Sequence, residues 1–199
     1  MSDANLTLSA EERRLLQDTH FILTKRRVLE KVALLMGRLS ERYRLSVAEK
    51  GLAHLNCFLL TPKIAKGENY EGLPWVMLDY PRVFTQKDTC AVRTFFWWGH
   101  YCAITLQLSG CYQQQYAKAL QRFIDTYHGE GWSFDYGYDP WLHRIDTATY
   151  VSLATPGIGA SITERPFIKI TKKIPLEQWD VLTDIFSENF DDLLSVFQD

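Results

Sequence analysis

The chain has 199 residues, 46% of them hydrophobic and 14% aromatic, with a formal net charge of -2. That much apolar side chain offsets the conformational entropy of ordering the backbone, which excludes global disorder, and the length suits one α+β domain over residues 1–199. A near-neutral balance offers no excess of cations to displace counterions from a phosphate backbone, so nucleic acid is not an expected partner.

Met1-Ser2-Asp3-Ala4-Asn5 has neither a basic start nor an apolar stretch. No uncharged apolar run approaches the roughly 18 residues that a membrane span requires, so a membrane is not an expected partner either. The cysteines, Cys57, Cys90, Cys102 and Cys111, include no C-x-x-C pair. Three sit in apolar surroundings as core thiols do, and the cytoplasm is the expected compartment.

Ser9-Ala10-Glu11-Glu12 is a capping box and starts a helix. Val28, Val32, Leu35, Met36, Leu39 and Tyr43 then recur at helical spacing and predict a long amphipathic helix. Asp18, Thr19 and Thr24 favour caps over helix interiors, so a break is expected near them. After a short apolar segment over 49–60, the stretch from Thr61 to Gly72 reads as an exposed loop because of Pro62, Gly67, Asn69 and Gly72. The sheet is expected to begin after it.

Trp75 to Leu78 reads as a strand covered on both faces and ended by Asp79-Tyr80-Pro81-Arg82. Ala91 to Trp98 and Tyr101 to Leu108 read as a hairpin about Gly99-His100, completing a three-stranded aromatic meander. The period of two places Cys102, Ile104, Leu106 and Leu108 on the face toward the helices. A helix follows from Cys111, with Tyr112, Tyr116, Leu120, Phe123 and Tyr127 on one stripe and Gly129 as its left-handed stop. Trp132 to Trp141 reads as a loop in which Asp139-Pro140 caps a short turn. Further strands are expected at Tyr150 to Leu153 and Phe167 to Thr171. Pro175 starts a final helix, acidic throughout, which is expected beside the basic amino-terminal helices.

Four constellations carry candidate chemistry. Asp79, Arg82, Arg93, Trp97, Trp98 and His100 form an ionic and aromatic set: Arg93 interrupts an apolar strand and needs a carboxylate, for which Asp79 is the candidate, and the same groups suit an anionic ligand. Cys111, at a helix start where dipole and amides lower a thiol pKa, is a candidate nucleophile with His100, His128 or His143 as base. Asp135 and Asp139, among aromatic rings, suit acid and base roles, and equally suit the capping of local amides. His54 with Cys57, and His100 with Cys102, have the spacing of two ligand pairs, yet they form no zinc signature and no metal is assigned.

Glu71-Gly72-Leu73-Pro74-Trp75, Leu78-Asp79-Tyr80-Pro81-Arg82 and Arg93-Thr94-Phe95-Phe96-Trp97-Trp98-Gly99 resemble a small group of uncharacterised bacterial proteins. The resemblance implies no activity and no catalytic residue, but it marks the aromatic hairpin as the group's centre. The expected fold is α+β, a mainly antiparallel sheet with helices packed on one face and a long amino-terminal helical segment. The expected function is non-catalytic binding of a small molecule or a protein, with no cofactor. The alternative is a small hydrolase or transferase using Cys111 or the Asp135 and Asp139 pair. A convergent nucleophile and base would favour the alternative, whereas an exposed apolar patch on the long helix would favour interaction.

Overall fold

The structure is a computed structural model and describes residues 6–158 and 165–198. Helix α1 (Ala10–Gln17) starts at the capping box, with Ser9 Oγ accepting from Glu12 N at 3.1 Å and Ser9 N donating to the Glu12 carboxylate at 2.6 Å. The break falls at Asp18, which leaves helical geometry (φ -85°, ψ 83°) and whose carboxylate accepts from Phe21 N at 2.9 Å. One residue thus ends α1 and caps α2 (Thr19–Glu49). Val32, Met36, Leu39 and Tyr43 of α2 are buried, as their spacing predicts, and no residue before Val32 is.

Among the described residues the strands form one seven-stranded sheet. They are β1 (Lys63–Tyr70), β2 (Leu73–Phe84), β3 (Thr89–Trp97), β4 (Tyr101–Ser109), β5 (Trp132–Asp135), β6 (Tyr150–Ser152) and β7 (Phe167–Ile174). Their order is β1-β2-β3-β4-β7-β5-β6 and each pairing is antiparallel. The predicted hairpin is β3 and β4, with Trp97 opposite Tyr101 and Gly99 in a left-handed turn (φ 73°).

Beyond the three-stranded meander and the two further strands expected, the sheet contains β1 and β5. The stretch read as a loop over 61–72 contains β1, an edge strand that shows no apolar alternation because little of it is buried. Strand β2 continues through Asp79-Tyr80-Pro81-Arg82, and its register shifts between Asp79 and Arg82, where a proline that cannot donate to the ladder is accommodated. Trp132 to Asp135 is strand rather than loop, because β5 is held between β7 and β6.

The helix after β4 breaks at Tyr116 into α3 (Cys111–Gln115) and α4 (Ala117–Tyr127). The left-handed glycine beyond it is Gly131 (φ 77°), not Gly129, since the chain first makes another turn with Glu130 N donating to Tyr127 O at 3.0 Å. Pro175 precedes a 3-10 segment, Leu176–Val181, before α5 (Leu182–Leu194).

The main core lies between the helices and one sheet face. Leu78, Ile104, Leu106 and Ile170 meet Tyr43, Phe186 and Phe190 there, and the Tyr43 and Phe190 rings stack at 3.7 Å. The acidic α5 lies against the basic α2, as expected, with Arg42 3.8 Å from Asp191. No helix among the described residues is long and apolar enough to cross a membrane.

Candidate functional site

The opposite sheet face is built from the residues of the other parity, and it divides into an apolar end and a polar end. Met77, Phe95, Trp97, Tyr101 and Ala103 form a second apolar cluster, against which Tyr70, Trp75 and Ile145 pack. Beyond it the strand register aligns Asp79, Arg93, Thr105, Thr171 and Ser133 across five strands. Gln107 and Lys169 are paired in the next row. Asp79, Arg93, Thr105, Gln107, Asp135, Lys169 and Thr171 are all buried. Such a layer of buried polar groups is costly unless each is paired.

Burial comes from the connection between β5 and β6, residues 136–149, which lies over this face. Two tyrosines anchor it: Tyr70 Oη accepts from His143 N at 2.9 Å, and Tyr101 Oη accepts from Ile145 N at 2.8 Å while donating to His143 O at 3.0 Å. Trp141 rests against Phe84, ring centres 5.7 Å apart.

Beneath the loop are two ion pairs. Arg93 grips Asp79 with two hydrogen bonds, Nε to Oδ1 at 2.7 Å and Nη2 to Oδ2 at 3.2 Å, and its guanidinium lies 5.4 Å from the Phe84 ring centre. Lys169 Nζ is 3.5 Å from Asp135 Oδ2, with both side chains 3% exposed. Each cation has a donor left over, and both of these end on the loop. Arg93 Nη1 is 3.3 Å from His143 Nε2, and Lys169 Nζ donates to the Leu142 carbonyl.

Electrostatics fixes the roles. Burial, then the charges of Arg93 and Lys169, lower the His143 pKa to about 3, so the imidazole is neutral and accepts at Nε2 from Arg93. Burial also lowers the Lys169 pKa, against the opposing pull of Asp135. Tyr150, hydrogen-bonded to Asp135, is raised by burial and then by that carboxylate's charge.

The predicted Asp79–Arg93 pair is present, and Trp97 lies on the same face. His100 stacks on Trp97 with ring centres 3.7 Å apart. Arg82 turns away beyond the bulge and donates to Thr61 O at 2.6 Å. Trp98 belongs to the helix side, where it meets Phe96. Asp135 sits in the buried layer, whereas Asp139 is exposed and caps Trp141 N at 2.8 Å. The two carboxylates have separate local partners, as amide-capping aspartates do.

Cys111 is exposed and its amide donates to Asp88 Oδ1 at 2.8 Å. Its thiol pKa is raised, first by partial desolvation and then by the hydrogen bond and negative charge of Asp88, the reverse of the activation expected at a helix start. His54 lines a small pocket with Cys57 and Cys111, while the Cys57 sulfur accepts a hydrogen bond from the free thiol of Cys90. Cys90 pairs with Leu108, six residues along β4 from Cys102 and so roughly 20 Å away. His54 and Cys57 therefore do not meet His100 and Cys102, and no group of three or more metal-ligating side chains occurs among the described residues.

Lys169, Gln107, Thr105, Thr171, Tyr70 and Tyr150 belong to the site and were not among the sequence candidates. The signal for Lys169 was the one that marked Arg93, a cation set between apolar strand neighbours, here Ile168 and Ile170. Gln107 lies likewise between Leu106 and Leu108. Compared with protein-family models, curated proteins and solved structures, the chain matches none of them.

Proposed function

We propose that this chain is a non-catalytic binding domain whose ligand is an organic anion with an apolar or aromatic body, held on the outer sheet face beneath the 136–149 loop. One observation carries the reading: the spare donors of two buried cations, Arg93 and Lys169, end on acceptors of an irregular loop, His143 Nε2 and the Leu142 carbonyl. A carboxylate offers two acceptor oxygens for the same two donors and forms stronger, charge-assisted bonds with them. The aromatic end formed by Phe95, Trp97 and Tyr101 supports the apolar body. Binding rather than catalysis is favoured because the His143 acceptor is occupied by Arg93, and the Cys111 thiol is raised rather than activated.

Thermal-shift measurements with 3-phenylpropionate, octanoate and the neutral 3-phenylpropionamide test this. At ten times the dissociation constant a ligand stabilises by about 1.4 kcal/mol, or about 3–6 °C for a chain of this size. The carboxylates are expected to give that shift and the amide none. The Asp79→Leu/Arg93→Leu variant, which removes a pair without stranding a buried charge, is expected to lose the shift. Equal shifts in wild type and variant would refute the assignment.

A further inference from the structure

Between the 3-10 turn Asn56–Phe58 and α3 lies a pocket of about 290 Å³, whose wall includes His54, Cys57, Cys111 and Tyr116. Cys57 is 1% exposed, and a small molecule reaches it through this pocket. The sulfur of Cys57 accepts from the thiol of Cys90, which is fully buried in β3 between Val83 of β2 and Leu108 of β4. Both thiols are free. Two unoxidised sulfurs in hydrogen-bond contact, one on a pocket wall and one beneath it, have the arrangement of a reactive thiol and a second thiol placed to resolve it.

The two sulfurs are not equivalent. Cys57 accepts from the Cys90 thiol, from the Tyr116 phenol and from the backbone amides of Cys57 and Phe58, so negative charge on it is met by donors. The hydrogen bond from Cys90 is the largest influence and holds the Cys57 thiol below its ordinary value against the opposing effect of burial. Cys90 is pushed the other way, first by burial and then by the hydrogen bond it donates and the charge of Cys57. Burial likewise raises the Tyr116 phenol, which keeps its proton and donates. Cys111 lies on the same pocket, but its thiol is raised and carries less thiolate.

We propose that Cys57 is a site of oxidation by small hydroperoxides and that Cys90 resolves it to an intramolecular disulfide. The Cys57 thiolate attacks the outer oxygen of the hydroperoxide. An S–O bond forms as the O–O bond breaks, and the leaving oxygen takes up the proton that Cys57 gave up, which yields an alcohol, or water from hydrogen peroxide, and a Cys57 sulfenic acid. The Cys90 sulfur then attacks the Cys57 sulfur. The S–S bond forms as the S–O bond breaks, and the hydroxyl departs with the Cys90 proton as water. The hydroperoxide gains the electron pair that the two sulfurs lose.

The test treats the folded Cys111→Ser chain with a small molar excess of hydrogen peroxide, then alkylates it in denaturant and maps its peptides. Cys57 and Cys90 are both expected to be lost to alkylation, to appear as one cross-linked peptide and to return on reduction. Cys102, fully buried and with a thiol that burial raises to about 12, is expected to stay alkylatable. Adding Cys90→Ala is expected to stop the reaction at a Cys57 sulfenic acid that dimedone traps, whereas adding Cys57→Ala is expected to leave Cys90 reduced. The cross-link map changes only the exposed Cys111, so it decides the matter even where a core alanine variant fails to fold. A chain whose Cys57 and Cys90 survive peroxide in the folded state overturns the proposal. So does oxidation of Cys57 that leaves Cys90 reduced in the Cys111→Ser chain, or a loss of Cys102 equal to that of Cys57.

Discussion

His143 makes the site pH-sensitive in a direction that can be worked out. Its pKa is about 3 in the folded chain, against an unfolded value near 6.5, so between these limits the unfolded chain binds more protons. Stability from this group is complete above about pH 6.5 and is lost as pH falls toward 3, with a slope of at most about 1.4 kcal/mol per pH unit. Urea unfolding at pH 7 and pH 5 is expected to show a loss of about 1–2 kcal/mol in wild type that His143→Gln, which still accepts from Arg93, does not show. Equal losses in both would place the sensitivity elsewhere.

Asp135 is the other informative residue. Asp135→Ala leaves Lys169 buried without its carboxylate and is expected to cost about 3–5 kcal/mol, while adding Lys169→Met recovers most of that loss. Denaturant midpoints of the single and double variants measure the difference. At this scale the sequence was half legible. Arg93 stood out as one cation among apolar neighbours and forced the search for Asp79. Lys169 has isoleucines on both sides, but Lys172 and Lys173 follow it and disguise a buried cation as part of a basic run.

Among the elements, what could be read was whatever local chemistry determines. The capping box, the Asp18 break and the β3–β4 hairpin rest on nearby side chains and glycines, and all formed. Strands β1 and β5 escaped because their pairing, not their composition, makes them strands: β1 is an exposed edge and β5 is four residues long. Of the stretch read as a loop over Trp132 to Trp141, residues 136–141 do belong to the connection over the sheet, but its position there depends on Tyr70 and Tyr101, which are distant in sequence.

The junction from β4 to α3 offers a test at this scale. Gly110 has φ 61° and ψ -131°, a region essentially reserved for glycine, and a Cβ there would lie 2.2 Å from Asp88 Oδ1 and 2.5 Å from Lys87 O. Gly110→Ala is expected to cost about 1–3 kcal/mol and to break the Asp88 cap on Cys111. A melting temperature equal to wild type would contradict that account of the turn.

Over the whole molecule, one sheet separates two kinds of chemistry. The helix side is an apolar core, and the outer side holds charges that a folded chain retains only when each has a partner. The spacing indicated the first, because Cys102, Ile104, Leu106 and Leu108 fall on one face of β4. The second was visible only as isolated polar exceptions until the register aligned them across five strands. Exposed apolar side chains on α1 and α2, among them Leu16, Ile22 and Leu23, lie apart from the polar layer.

The most direct test of the central claim is an NMR titration with 3-phenylpropionate that follows the side-chain signals of Arg93 Nε and Lys169 Nζ. Both signals are expected to move saturably with one shared dissociation constant, and to stay still with 3-phenylpropionamide. Movement confined to exposed cations such as Lys66, with Arg93 and Lys169 unmoved at saturation, would contradict an anion site beneath the loop.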